Sequence, residues 1–135
     1  MARTSAEVRR LIRRYVAGLR RHIHVDRVIL FGSHATGRPS EWSDIDLAII
    51  SPDFDGADLF KRVRLLGKAR RECADSIEAL GYSTREYETA HRQTFLGEIK
   101  RTGKVVFPNG RRKRLSPGKA QKTSARGTQA LARTR

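Results

Sequence analysis

A four-residue apolar run, Val28-Ile29-Leu30-Phe31, ends at Gly32-Ser33, and a second begins after a polar segment as Asp44-Ile45-Asp46-Leu47-Ala48-Ile49-Ile50. Short apolar runs bounded by glycine and polar residues read as buried strands, so the chain is committed to a sheet. Side chains alternate across a strand. Asp44 and Asp46 therefore share one face, while Ile45 and Leu47 point the other way into a core. Two carboxylates this close repel each other and raise each other's pKa. A divalent cation between them removes that penalty. Magnesium suits such a site, being held by a few carboxylates, water and substrate phosphates.

The segment between the runs adds a phosphate-binding turn. Gly32 lets a phosphate approach the main chain because no side chain blocks it. Ser33 carries a hydroxyl that can cap a helix or donate to a phosphate oxygen. Residues 34–37 read as a single helical turn whose N–H groups would face the phosphate. Arg38-Pro39-Ser40-Glu41-Trp42-Ser43 is a polar loop. Arg38 is near enough in sequence to touch a phosphate, and equally suits solvent, while Trp42 reads as cover for the loop. Gly32, Ser33, Arg38 and Ser43 are the nucleotide-binding candidates. A Gly-Ser after a strand and an Asp-x-Asp at a strand start are each common in structural turns. Their joint occurrence at this spacing is far rarer and points to function.

Gly32, Ser33, Asp44 and Asp46 match the pattern Gly-Ser-x10-Asp-x-Asp. The segment resembles the signature of the DNA polymerase β-like nucleotidyltransferase superfamily, and most of all its minimal nucleotidyltransferases. The likeness extends over about residues 8–107, with 32–47 diagnostic. It implies an α/β (α+β) fold with a small mixed sheet of about four strands against about three helices. It implies transfer of AMP from ATP to a hydroxyl, with two magnesium ions and a catalytic set of Ser33, Asp44, Asp46 and a third carboxylate. Glu78, four residues before Tyr82-Ser83, fits that third position, with Asp75 as the alternative. Glutamate there departs from the more usual aspartate but keeps the charge. Asp44, Asp46 and Glu78 would be the metal ligands, and Glu78 could also take the acceptor's proton. Ser33 and nearby amides would hold the β- and γ-phosphates. The resemblance also implies a separately encoded HEPN-type helical partner, adenylylated on a tyrosine as in type VII toxin–antitoxin pairs. The alternatives are a non-catalytic binding module and a transferase acting on RNA or a small molecule.

Charge and length bound the rest. The net charge is +15 over 135 residues. Nine of the Lys and Arg residues, and no acid, lie beyond Phe107, leaving +6 (15 − 9) on residues 1–107. Residues 1–107 read as one domain and 108–135 as a basic, disordered tail, with nucleic acid as its possible partner. The chain lacks a separate acceptor-binding domain, so the expectation is that a partner supplies the acceptor. No apolar run is long enough to span a bilayer, and no signal-peptide core follows the basic N-terminus. Cys73 is alone, which excludes an intramolecular disulfide, fits a reducing cytoplasm and suits core packing. The expectation is a cytoplasmic protein without membrane contact.

The remaining pattern supplies the layers. Val8, Leu11, Ile12, Tyr15, Val16 and Leu19 repeat at helical spacing over 5–21, with Arg9, Arg10, Arg13, Arg14, Arg20 and Arg21 on the other faces. His22 and His24 fall in a loop. Residues 51–56 read as a loop, and 57–72 as a helix with Leu59, Phe60, Val63, Leu66 and Ala69 inward. Residues 77–80 are a strand. Ser83 and Glu86 form a capping box that opens one helix to about Arg101, burying Tyr87, Phe95, Leu96 and Ile99. Gly103 ends it, and 104–107 make the last strand.

Overall fold

The computed structural model describes residues 4–37, 44–73 and 76–108. Helix α1 (Ser5–Leu19) leads into strand β1 (Arg27–Phe31), the single turn α2 (Ser33–Thr36) and strand β2 (Ile45–Ile50). A 3-10 turn (Pro52–Phe54) and helix α3 (Leu59–Cys73) cross to strand β3 (Ile77–Tyr82). Helices α4 (Thr84–Thr89) and α5 (Phe95–Thr102) then return the chain to strand β4 (Lys104–Phe107). The four strands form one mixed sheet in the order β3-β2-β1-β4. β1 is antiparallel to both its neighbours, while β2 and β3 run parallel. This is the four-stranded α/β architecture expected, with five α-helices rather than about three.

The sheet divides two apolar layers. Val28, Leu30, Ile45, Leu47, Ile49 and Ile77 pack beneath α1 and α3. Ile29, Ala48 and Ile50 face the other way and meet Ile99 of α5. Each buried Val, Leu or Ile among them contributes about 1.5–3 kcal/mol. On α1, Val8, Ile12, Tyr15, Val16 and Leu19 are buried as their spacing predicts. The Tyr15 hydroxyl donates to the Leu66 carbonyl at 3.1 Å, tying α1 to α3. Thr4 and Glu7 close a capping box at the start of α1.

Helix α3 is rotated from its expected phase. Leu66 and Ala69 are buried, but Leu59, Phe60 and Val63 are 76%, 73% and 58% exposed. The inward residue of the first turn is Arg62, one turn before Leu66. Its guanidinium donates to the carbonyls of Ala57, Phe54 and Gly81 at 2.9, 3.0 and 3.1 Å, and to both Glu86 oxygens at 2.7 and 3.2 Å. A side chain able to satisfy three carbonyls and a carboxylate holds the inward position against its apolar neighbours.

The expected helix from Ser83 to Arg101 is two helices. Ser83 and Glu86 do form the capping box, opening α4. Ala90 then turns extended (φ −61, ψ 126). Thr94 starts a new helix, its hydroxyl accepting from the Gly97 amide at 3.0 Å. Gly97 lies against the 91–92 backbone so closely that a Cβ would stand 2.1 Å from the His91 carbonyl oxygen. The rotation places Leu96 and Ile99 inward and leaves Phe95 exposed at 59%. In the expected loop 51–56, buried Ser51 caps the 3-10 turn, accepting from the Asp53 amide. His22 and His24 are exposed, and His24 pairs with Asp26 at 2.9 Å. The side chain of Cys73, and the tail beyond 108, lie outside the described residues. Among the described residues no helix is long and apolar enough to cross a membrane.

Candidate active site

The antiparallel register of β1 with β2 sets Phe31 opposite Asp46, and the parallel register of β2 with β3 sets Asp46 beside Glu78. Registered neighbours project to the same face. Ile45 and Leu47, which flank Asp46, and Ile77, which precedes Glu78, are fully buried under the α1–α3 layer. Asp46 and Glu78 therefore emerge on the opposite face. Asp44, two residues before Asp46, joins them there and is exposed. The main chain is held at this point by the Ile45 amide donating to the Ser76 carbonyl at 2.9 Å.

The glycine turn closes on the same spot. Gly32 has φ 77 and ψ −155, a region that is essentially glycine-only. A Cβ built there would stand 2.3 Å from Asp46 Oδ2. The missing side chain is what allows the bend at the end of β1 to touch the carboxylate at the start of β2. Gly32 is exposed, so its main chain is open to a ligand. Residues 33–36 form the helical turn expected, with Gly32 as N-cap and Gly37 left-handed at its end (φ 78). No side chain caps it, so Ser33 is its first residue and not its cap. The amides of Ala35 and Thr36 donate to the Gly32 carbonyl at 3.1 and 3.2 Å. The expectation of N–H groups aimed at a phosphate is thereby narrowed to the first residues of the turn.

The electrostatics mark the same cluster. The Asp46 carboxyl titrates above the ordinary carboxylate range, first because burial disfavours its charge, then because Asp44 and Glu78 repel it. His34 on α2 offsets part of that rise. His34 carries little signal in the sequence. Its only signal is its place directly after Gly-Ser, on the turn that folds over Asp46.

The donors suit a hard cation. All three carboxylates offer only oxygen, and magnesium is commonly held by one or two carboxylates together with substrate phosphates rather than by a full protein cage. Among the described residues, no three His, Cys, Asp or Glu side chains are drawn together as a ready-made metal cage. Asp44 and Asp46 with Glu78 beside them fit the first arrangement, and their mutual repulsion is what a cation would relieve. Arg38 and Ser43 of the nucleotide-binding candidates, Trp42, and the alternative carboxylate Asp75 lie outside the described residues.

The sequence matches the family model described as nucleotidyltransferase domain over residues 12–106, from within α1 to within β4. The chain belongs to the nucleotidyltransferase domain family. The fold agrees with it. A crystal structure from Sulfolobus solfataricus, of a protein provisionally called a nucleotidyltransferase, superposes with a TM-score of 0.54. The two sequences are 18% identical, and the alignment covers 62% of this chain and 73% of that one. No curated protein matches the sequence significantly. In this nucleotidyltransferase domain, the matched span contains the glycine turn and all three carboxylates.

Proposed function

We propose that this nucleotidyltransferase transfers AMP from ATP, with magnesium, to a hydroxyl acceptor, and that the acceptor is a tyrosine of a HEPN-type helical partner. The observation that carries the reading is the contact of Gly32 with Asp46, with Glu78 beside Asp46 in the β2–β3 register. That arrangement sets a phosphate-accepting bend against a carboxylate group on one sheet face. AMP, ATP and the HEPN tyrosine follow from the resemblance of Gly32-Ser33-x10-Asp44-x-Asp46 to the minimal nucleotidyltransferases.

Asp44 and Asp46 would hold magnesium, with Glu78 as the ligand nearest the acceptor. Bound there, magnesium would neutralise charge developing on the attacking and leaving oxygens. Gly32 admits the triphosphate close to the main chain, and the Ser33 hydroxyl donates to one of its oxygens. The acceptor oxygen attacks the α-phosphorus, the bond to the β-phosphate oxygen breaks, and pyrophosphate leaves. Glu78, exposed at the sheet edge, accepts the acceptor's proton. The repulsion of Asp46 by Asp44 and Glu78, which together with burial raises its pKa, is what a bound cation would relieve.

The test uses ATP labelled at the α-phosphate, magnesium and a HEPN-type helical protein as the candidate acceptor. Label should appear on the partner, and should vanish with Asp44→Asn plus Asp46→Asn while the circular dichroism spectrum is kept. Undiminished transfer by that double variant overturns the metal assignment. Transfer of γ-label in place of α-label overturns the reaction.

A further inference from the structure

Helices α1 and α3 lie side by side on one face of the sheet, and their outward sides make one surface. That surface is basic. Arg10 and Arg14 stand one turn apart on α1, and Arg64, Lys68 and Arg71 follow along α3, all exposed. Residues 59–71 hold no acid; Asp58, which accepts from the Lys61 amide at 2.8 Å, and Glu72 bracket that run. The one acid within α1 is Glu7, and its carboxylate accepts from the Thr4 amide at 2.7 Å. The carboxylates Asp44, Asp46 and Glu78 lie on the opposite face of the sheet. Positive charge is thus gathered on one layer and separated from the acidic site, a layout that draws a polyanion.

A second observation separates nucleic acid from other polyanions. Phe60 is 73% exposed at the start of α3, between exposed Leu59 and Lys61 and in a pocket shared with Asp55 and Asp58, with the Arg64 guanidinium 5.2 Å from its ring centroid. A simple polyanion such as polyglutamate would use the cations without needing that ring. An unpaired base can stack on it while its phosphates meet the arginines. We infer that the α1–α3 layer binds single-stranded nucleic acid, with phosphates on Arg10, Arg14, Arg64 and Lys68 and a base on Phe60. This surface is independent of the transfer reaction proposed above.

The experiment titrates the full chain against a fluorescent single-stranded RNA of mixed sequence over a range of salt. Replacing Arg10, Arg14, Arg64 and Lys68 with glutamine should make the slope of log K against log salt shallower by about 3, at about 0.7 per lost phosphate contact. Replacing Arg111, Arg112, Lys113 and Arg114 with glutamine removes equal charge from the tail and should change the slope less. Phe60→Ala should weaken binding about fivefold or more at an unchanged slope. If the fourfold variant fails to fold, Arg64→Gln with Lys68→Gln alone should still lower the slope by about 1.4. An unaltered slope in the helix variants overturns the inference, as does an equal loss from the tail variant, which would make net charge the whole cause. So does duplex RNA, polyglutamate or an anionic vesicle binding as tightly as the single strand.

Discussion

Replacing Gly32 with alanine probes the closest contact in the site. At φ 77 and ψ −155 the backbone there is strained for any residue with a Cβ, at about 1–3 kcal/mol. The added methyl would also stand 2.3 Å from Asp46 Oδ2. The obstacle is the end of a flexible side chain, so the carboxylate can swing aside, at about 0.5–1.5 kcal/mol for an off-rotamer position. A domain of this size loses roughly 4–8 °C of Tm per kcal/mol. Gly32→Ala should therefore melt roughly 6–36 °C lower. In an Asp46→Ala background the oxygen is gone and only backbone strain remains. The double-mutant cycle, read by urea and thermal unfolding of the four proteins, should yield a coupling of about 0.5–1.5 kcal/mol. A Gly32→Ala loss under about 0.5 kcal/mol refutes the strain. The same loss in both backgrounds refutes the contact with Asp46.

Three further outcomes follow from the same geometry. Because the fold raises the Asp46 pKa, ionising this group weakens the folded state as pH rises through the carboxylate range. Asp46→Asn should thus be more stable than the parent at neutral pH and equal to it below about pH 3, under the unperturbed aspartate pKa; a gain that persists in acid contradicts this. Glu86 titrates below its ordinary range, chiefly through the Arg62 hydrogen bond, so its contribution is present above the unfolded value near 4.3 and fades as pH falls through the folded one. Glu86→Gln should flatten the acid limb of the stability–pH curve measured by urea unfolding. Gly97→Ala presses a methyl onto the backbone of 91–92 and should cost about 1–3 kcal/mol, with hydrogen-exchange protection lost first in α5.

The sheet and the cluster of carboxylates were readable because their signal is local and periodic. Alternation in Asp44-Ile45-Asp46-Leu47 assigns faces without any knowledge of the fold, and the glycine after β1 marks a bend that only glycine adopts. Glu78 needed the resemblance, since its partner Asp46 lies across a crossover that sequence spacing does not measure. Apolar periodicity misphases helix α3 because its first inward residue is an arginine, and periodicity cannot anticipate carbonyls gathered from the turn before the helix and from β3. The break between α4 and α5 is faint in the sequence because Thr94 is a weaker cap signal than Ser83, and the close approach of Gly97 is a tertiary fact. The Thr4–Glu7 box carries the same pattern as Ser83–Glu86 and was open to the same reasoning.

The parallel pairing of β2 with the edge strand β3 gives Glu78 a part in setting the register. Sliding β3 by one residue would drive this carboxylate into the oily layer beneath α1 and α3 and push Ile77 into water. Misalignment is thereby penalised twice by adjacent residues. The acid acts as a key that locks the edge strand in step.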